Sequence, residues 1–211
     1  MIQVKTFYFN DLRTCCYLLW DETKEAVIVD PGCHSPNEQA RLKKFVAQEG
    51  LKIVYMVNTH AHFDHIMGNA FVSAQWGIKT YIHPAELHLL ENADTYGRFF
   101  HVEVEKPPVD TLPLSELDPL SFGCSVLQVL ETPGHSPGGI CLYAPHDGFV
   151  ITGDTLFAEN VGRTDLPGGD YEELKRSIRT KLLPLEASVR VLPGHGPETT
   201  IGHERLHNPY V

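Results

Sequence analysis

No run of apolar residues in the chain approaches the roughly 20 that cross a bilayer. The opening stretch, MIQVKTFYFNDL, lacks the basic-then-apolar order of a secretory leader. A cytoplasmic location and no membrane partner are the resulting expectations. Positive charge is scarce: 17 Lys and Arg stand against 27 Asp and Glu, for a formal charge of -10. No block of basic residues offsets this, so nucleic acid is not an expected partner. Cysteines are five, an odd number (Cys15, Cys16, Cys33, Cys124 and Cys141), and form no C-x-x-C pair. That pattern argues against a disulfide framework and against a thiolate zinc knuckle, and leaves reduced, mostly buried thiols.

What the chain does have is enough apolar material for a substantial core, 42% over 211 residues, and a single domain over 1–211 is expected. The runs QVKTFYF, CCYLLW and AVIVDPG read as strands of one sheet, punctuated by turn residues. SPNEQARLKKFVAQEG reads as an amphipathic helix, started by Ser-Pro and stopped by Gly50. KIVYMVNTH, a helical HIMGNAFVSAQWG and KTYIH make a strand, helix, strand unit. Asn92 to Leu117, with Pro107, Pro108 and Pro113, read as a long surface loop. SVLQVLETPGHS, GICLYA and GFVITGD follow as strands, then a helix over Tyr171 to Leu183 and a last strand, VRVLPGHG. Strands followed by a helix, twice, suggest two similar α/β halves.

Four clusters of polar residues stand at the ends of these apolar runs. They are His60, His62, Asp64 and His65; then His135; then Asp154; then His195. If residues 60 to 64 are extended, alternate side chains project to one side, and His60, His62 and Asp64 aim into one cleft. Imidazole nitrogen and carboxylate oxygen without sulfur suit zinc, iron or manganese. Five histidines and two carboxylates exceed one tetrahedral ion and suit two metals sharing Asp154, about 3.5–4 Å apart with a water activated between them. His34, His83, His88, His101, His146 and His207 read as ordinary polar or surface residues.

The motifs HAHFDH, GHS, GDT and GHG resemble the H-x-H-x-D-H, His, Asp, His pattern of the metallo-β-lactamase superfamily, over nearly the whole chain. The resemblance implies an α/β fold, the four-layer αββα sandwich. It implies that His60, His62 and His135 bind one metal and Asp64, His65 and His195 the other, with Asp154 bridging. Asp64 and Asp154 are then the carboxylates expected to act in catalysis, with two divalent ions as cofactors, zinc first and iron or manganese as alternatives.

LFAENVGRTDLPGGD and PGHGPETTIGHERLHNPYV look like the compact glyoxalase II type hydrolases, also called hydroxyacylglutathione hydrolase-like proteins. That likeness implies hydrolysis of a small-molecule thioester such as S-lactoylglutathione. A metal-bridging hydroxide would attack the carbonyl, and a thiol of pKa near ~8.5 would leave without a strong general acid. Longer glyoxalase II enzymes add a helical region that contacts glutathione, whereas 16 residues follow His195 here. Another thioester is therefore a candidate substrate. Arg163 is placed either on a substrate carboxylate or against Asp165 as a brace. His203, Glu204 and Asn208 are placed behind the ligands or in a docked terminal helix.

An iron-dependent persulfide dioxygenase resembles the chain down to GRTD, with one iron on His60, His135 and Asp154. A class B β-lactamase is disfavoured, because that branch usually carries a thiolate where Asp154 stands. A non-catalytic, metal-stabilised binding protein is the alternative from another class, distinguished by ligand-dependent stabilisation without turnover.

Overall fold

The computed structural model describes residues 1–211. The chain divides into two compact units: Met1–Ile82, Leu87–Pro113 and Ser121–Ser125 form the first, and His83–Glu86, Leu114–Leu120 and Val126–Val211 the second.

In the first unit β1 (Gln3–Phe9), β2 (Thr14–Trp20) and β3 (Glu25–Val29) form the expected antiparallel meander. All seven residues of β2 are buried, and its composition, TCCYLLW, is apolar on both faces as an interior strand requires. Helix α1 (Pro36–Glu49) begins with a reciprocal capping box between Ser35 and Glu38 and ends on Gly50 in the left-handed region. Its buried residues Leu42 and Val46 each contribute roughly 1.5–3 kcal/mol by leaving water. The helix returns the chain to β4 (Lys52–Val57), parallel to β3.

Two short helices, α2 (Phe63–Ile66) and α3 (Asn69–Trp76), lead to β5 (Thr80–Ile82), parallel to β4. Helices α4 (Leu87–Glu91) and α5 (Ala93–Phe99) precede β6 (Leu112–Pro113), which completes a sheet ordered β1-β2-β3-β4-β5-β6. This corrects the reading of Asn92 to Leu117 as loop throughout. Leu89, Leu90, Ala93 and Val104 join Phe63 and Ile66 in one apolar cluster, and Pro107 and Pro108 lie beyond α5.

Asp21, just after β2, is fully buried. Its Oδ1 accepts from the Thr23 amide at 2.9 Å and hydroxyl at 2.6 Å, and its Oδ2 from the Cys124 amide at 2.7 Å and the Ser125 hydroxyl at 2.9 Å. Burial alone would raise this carboxyl, but the four donors outweigh it and hold the pKa at about 2.

The second sheet begins with β7 (Leu120–Phe122), of which Ser121 and Phe122 are counted in the first unit, and β8 (Ser125–Glu131), which lies in the second unit from Val126; β9 (Ile140–Ala144) and β10 (Phe149–Gly153) then lead into a small hairpin of β11 (Leu156–Phe157) and β12 (Asn160–Val161). Helix α6 (Tyr171–Ser177) is capped by Asp170 and continues as a wider π-type turn over Ile178–Leu182. The chain then enters β13 (Arg190–Pro193), parallel to β10, followed by β14 (Thr199–Thr200) and α7 (Ile201–His207). The sheet order is β14-β13-β10-β9-β8-β7. Cys141, Val150, Leu174, Ile178, Val191 and Ile201 pack together as this unit's core.

Four of the five cysteines are buried and all are free thiols, with Cys124 exposed. Burial pushes the Cys33 thiol up to about 12 and Cys141 to about 11, and raises Cys16 as well. No helix is long and apolar enough to cross a membrane.

Candidate metal centre

The parallel pairing of β3 with β4 places their C-terminal ends side by side, where α/β sheets present ligand-binding groups. The amide of Asp30, the first residue past β3, donates to the Val57 carbonyl at 2.9 Å. Asp30 thereby lies beside Thr59 and His60. It adopts a left-handed backbone conformation (φ 50°) and is buried. The Asp30 carboxylate accepts from the Thr59 amide (2.7 Å), the Thr59 hydroxyl (2.6 Å) and His65 Nδ1 (3.0 Å).

These bonds set the histidine tautomers. A carboxylate only accepts, so His65 Nδ1 carries the proton and donates it. The Thr59 hydroxyl spends its one hydrogen on Asp30, so its oxygen accepts from His60 Nδ1 at 3.0 Å. Both imidazoles are left with an Nε2 lone pair, the form that binds a divalent cation. Asp30, His60 and His65 each bring a ligand-capable atom within 4.8 Å of the others, and all three are buried.

His62 meets the His60 ring edge-on at 4.8 Å between centroids, and His65 Nε2 lies 3.4 Å from Asp64 Oδ2. The structure thus brings His60, His62, Asp64 and His65 together, with the backbone extended at His62 as alternation predicted but helical from Phe63. His62 stands at the residue before α2 without a side-chain capping bond, and Asp64 and His65 lie within the helix's single turn. Helical rather than alternating geometry turns these two side chains inward. The two asparagines at the ends of NTHAHFDHIMGN close the segment: Asn69 Nδ2 donates to Asn58 Oδ1 at 2.8 Å, and Asn58 Nδ2 to the His65 carbonyl at 3.2 Å.

In the second unit β10 and β13 repeat the arrangement, and the Gly194 amide donates to the Gly153 carbonyl at 2.7 Å. Asp154 and His195 therefore emerge next to each other. His135 follows β8 in a loop closed by the Thr132 amide on the Gly139 carbonyl at 2.8 Å. Gly134, with φ 131°, permits that loop to pass against α6, where a side chain would strike Leu174.

Asp154 Oδ2 lies 3.6 Å from His135 Nε2 and 3.7 Å from His195 Nε2. Both distances are too long for good hydrogen bonds and close to the roughly 3.3–3.7 Å between two donors sharing one ion at bond lengths near 2.1 Å. His135 Nδ1 donates to the Arg163 carbonyl at 2.7 Å, which again leaves Nε2 as the lone-pair nitrogen.

The Arg163 guanidinium itself grips Asp165 with two bonds of 2.7 Å, which raise the pKa of Arg163 and hold Asp165 at about 2. Glu204 is buried and accepts from the Thr199 hydroxyl, the Glu159 amide and Asn208 Nδ2, while Asn208 Nδ2 also reaches the Asn160 carbonyl. Glu204 and Asn208 thus dock the terminal helix. His203 Nε2 lies 2.9 Å from a carboxylate oxygen of the exposed Glu159.

Sequence reading missed Asp30 and Thr59. The available signal was an aspartate directly after an apolar strand and before Pro-Gly, in AVIVDPG, which turn chemistry alone does not require.

Comparison with known proteins agrees with this geometry. The chain is 38% identical over 197 residues to the probable metallo-hydrolase YqgX of Bacillus subtilis, covering 92% of this chain and 90% of the relative. It is 34% identical over 211 residues to the hydroxyacylglutathione hydrolase GloC of Haemophilus influenzae, covering 93% and 92%. Among solved structures it is similar to the B3 metallo-β-lactamase BLEG-1 (37% identity, TM-score 0.90, 99% of both chains). It is also similar to TTHA1623 in a di-iron-bound form (38%, TM-score 0.89, 99% of this chain and 100% of that one). The αββα sandwich expected from the sequence is the fold of this chain, and divalent metal binding comes with the family. Residues 10–195 match the Metallo-beta-lactamase superfamily, and the chain, a metal-dependent hydrolase, belongs to it.

Proposed function

We propose that this hydrolase cleaves small-molecule thioesters of the S-lactoylglutathione type, using two divalent ions, zinc foremost. His60, His62 and His135 would hold one, Asp64, His65 and His195 the other, and Asp154 both. The observation that carries the reading is Asp154 Oδ2, near-equidistant from the Nε2 atoms of His135 and His195. Likeness to GloC over nearly the full length of both chains supports the thioester class.

When bound, the ions polarise the scissile carbonyl and activate a water. The protein's part is orientation. Asp30, Thr59 and the Arg163 carbonyl keep three imidazoles in the ligand tautomer, and their burial keeps competing water from rotating the rings. Asp154 supplies negative charge where two cations would otherwise repel. The leaving thiol needs no dedicated acid, since its pKa is about 8.5.

The likeness to BLEG-1 favours β-lactam amide hydrolysis as a second reading. An amine leaves less readily than a thiolate and would call for a proton donor. Zinc-loaded protein is assayed on S-lactoylglutathione and a β-lactam, with metal-stripped controls. Metal-dependent thioester turnover exceeding that on the lactam supports the proposal, and lactam turnover alone replaces it. Oxygen consumption on a persulfide, with iron loaded, replaces both.

A further inference from the structure

Thr14 opens β2 and is fully buried. Its Oγ1 donates to Asp64 Oδ2 at 2.7 Å, across 50 residues of sequence. The other acceptor within reach, Asn10 Oδ1, is at 3.2 Å. One hydroxyl carries one hydrogen, and the nearer, charged oxygen takes it. Asn10 completes the hold from the turn before β2: its Nδ2 donates to the Asp64 carbonyl at 3.0 Å and the Gly32 carbonyl at 3.1 Å. Asn10 is itself anchored, its amide donating to Glu38 Oε1 at 2.6 Å. The backbone and the carboxylate of Asp64 are thus both tied to the β1–β2 turn.

A carboxylate needs such a tie more than an imidazole does. Its two oxygens exchange by rotation about the last side-chain bond, which is a broad and soft torsion. We infer that Thr14 is a positioning residue: it fixes the rotation of the Asp64 carboxylate and so sets the affinity for the ion that Asp64 and His65 hold. This rests on the two-metal reading above.

The test is metal binding, not turnover. Wild-type protein, Thr14→Val and Thr14→Ser are stripped of metal and titrated with cobalt(II) against a competing chelator, with the visible ligand-field absorption recorded at each equivalent. Val keeps the shape without the hydroxyl, and Ser keeps the hydroxyl without the methyl. The expected result is two ions in the wild type. In Thr14→Val one of the two weakens by about 10–100-fold with an altered absorption band, and Thr14→Ser lies within a few-fold of wild type. Thr14→Ala serves in the same way should the valine variant not fold.

Val or Ala variants that bind both ions as the wild type does overturn the inference alone. So does an equal weakening of both ions, the mark of a structural role. A wild-type protein that takes up fewer than two ions overturns the two-metal reading and the inference with it.

Discussion

His65 Nδ1 lies 3.0 Å from the Asp30 carboxylate, and both side chains are buried. Replacing Asp30 with Asn keeps the size but gives one acceptor oxygen and one amide donor where three donors converge. Asp30→Asn is expected to lower metal affinity by about 10–100-fold and folding stability by about 1–3 kcal/mol. Metal content by elemental analysis and a denaturant titration of the stripped protein read the two effects separately. Wild-type metal affinity in this variant would contradict the tautomer assignment of His65.

His60→Ala and Asp154→Ala remove proposed ligands rather than the groups behind them. Each is expected to lose metal and nearly all activity, by more than the roughly 10–100-fold that orienting groups cost, while far-ultraviolet circular dichroism shows the sheets intact. Unchanged turnover in either variant sinks the assignment.

Asp21 predicts an acid-sensitivity. Its carboxyl is held at about 2 against an ordinary 3.8, so the unfolded chain binds its proton first as pH falls. The stabilisation is fully present above 3.8 and is lost as pH drops through about 2. Asp21→Asn turns an amide toward two donors and forfeits this contribution. Its unfolding free energy is expected to fall below wild type at pH 7, with the gap narrowing between pH 4 and 2. Parallel pH profiles for the two proteins would refute the role.

Arg163→Ala separates recognition from bracing. The guanidinium's bonds to Asp165 are at the surface, so stability is expected to change by only about 0–1 kcal/mol. A raised KM at constant kcat marks a substrate contact; a lower thermal midpoint with unchanged kinetics marks the brace.

The histidine and aspartate motifs were legible because each stands where an apolar strand runs out, and strand ends can be read from composition and turn residues alone. Asp30, Thr59 and Thr14 were not. Their roles come from adjacency between strands: the Thr59 hydroxyl meets Asp30 across 29 residues and Thr14 meets Asp64 across 50. One sequence read for period carries no register between β2, β3 and β4. The segment around Asp64 was misread as extended for a related reason. Histidines and aspartates are poor helix formers, so a four-residue helix held by its surroundings leaves no periodic trace. Arg163 was visible only as a side chain, although the group that meets His135 is its carbonyl.

That carbonyl has a consequence for how the protein tolerates change over generations. Every amino acid brings a carbonyl, so substitution at position 163 can retune the guanidinium's work while the hold on His135 persists. His65 and His60 enjoy no such insurance, since the groups behind them are the Asp30 carboxylate and the Thr59 hydroxyl. One imidazole is thus held by a group that survives drift at its supporting residue, and the other two by side chains whose substitution weakens the hold.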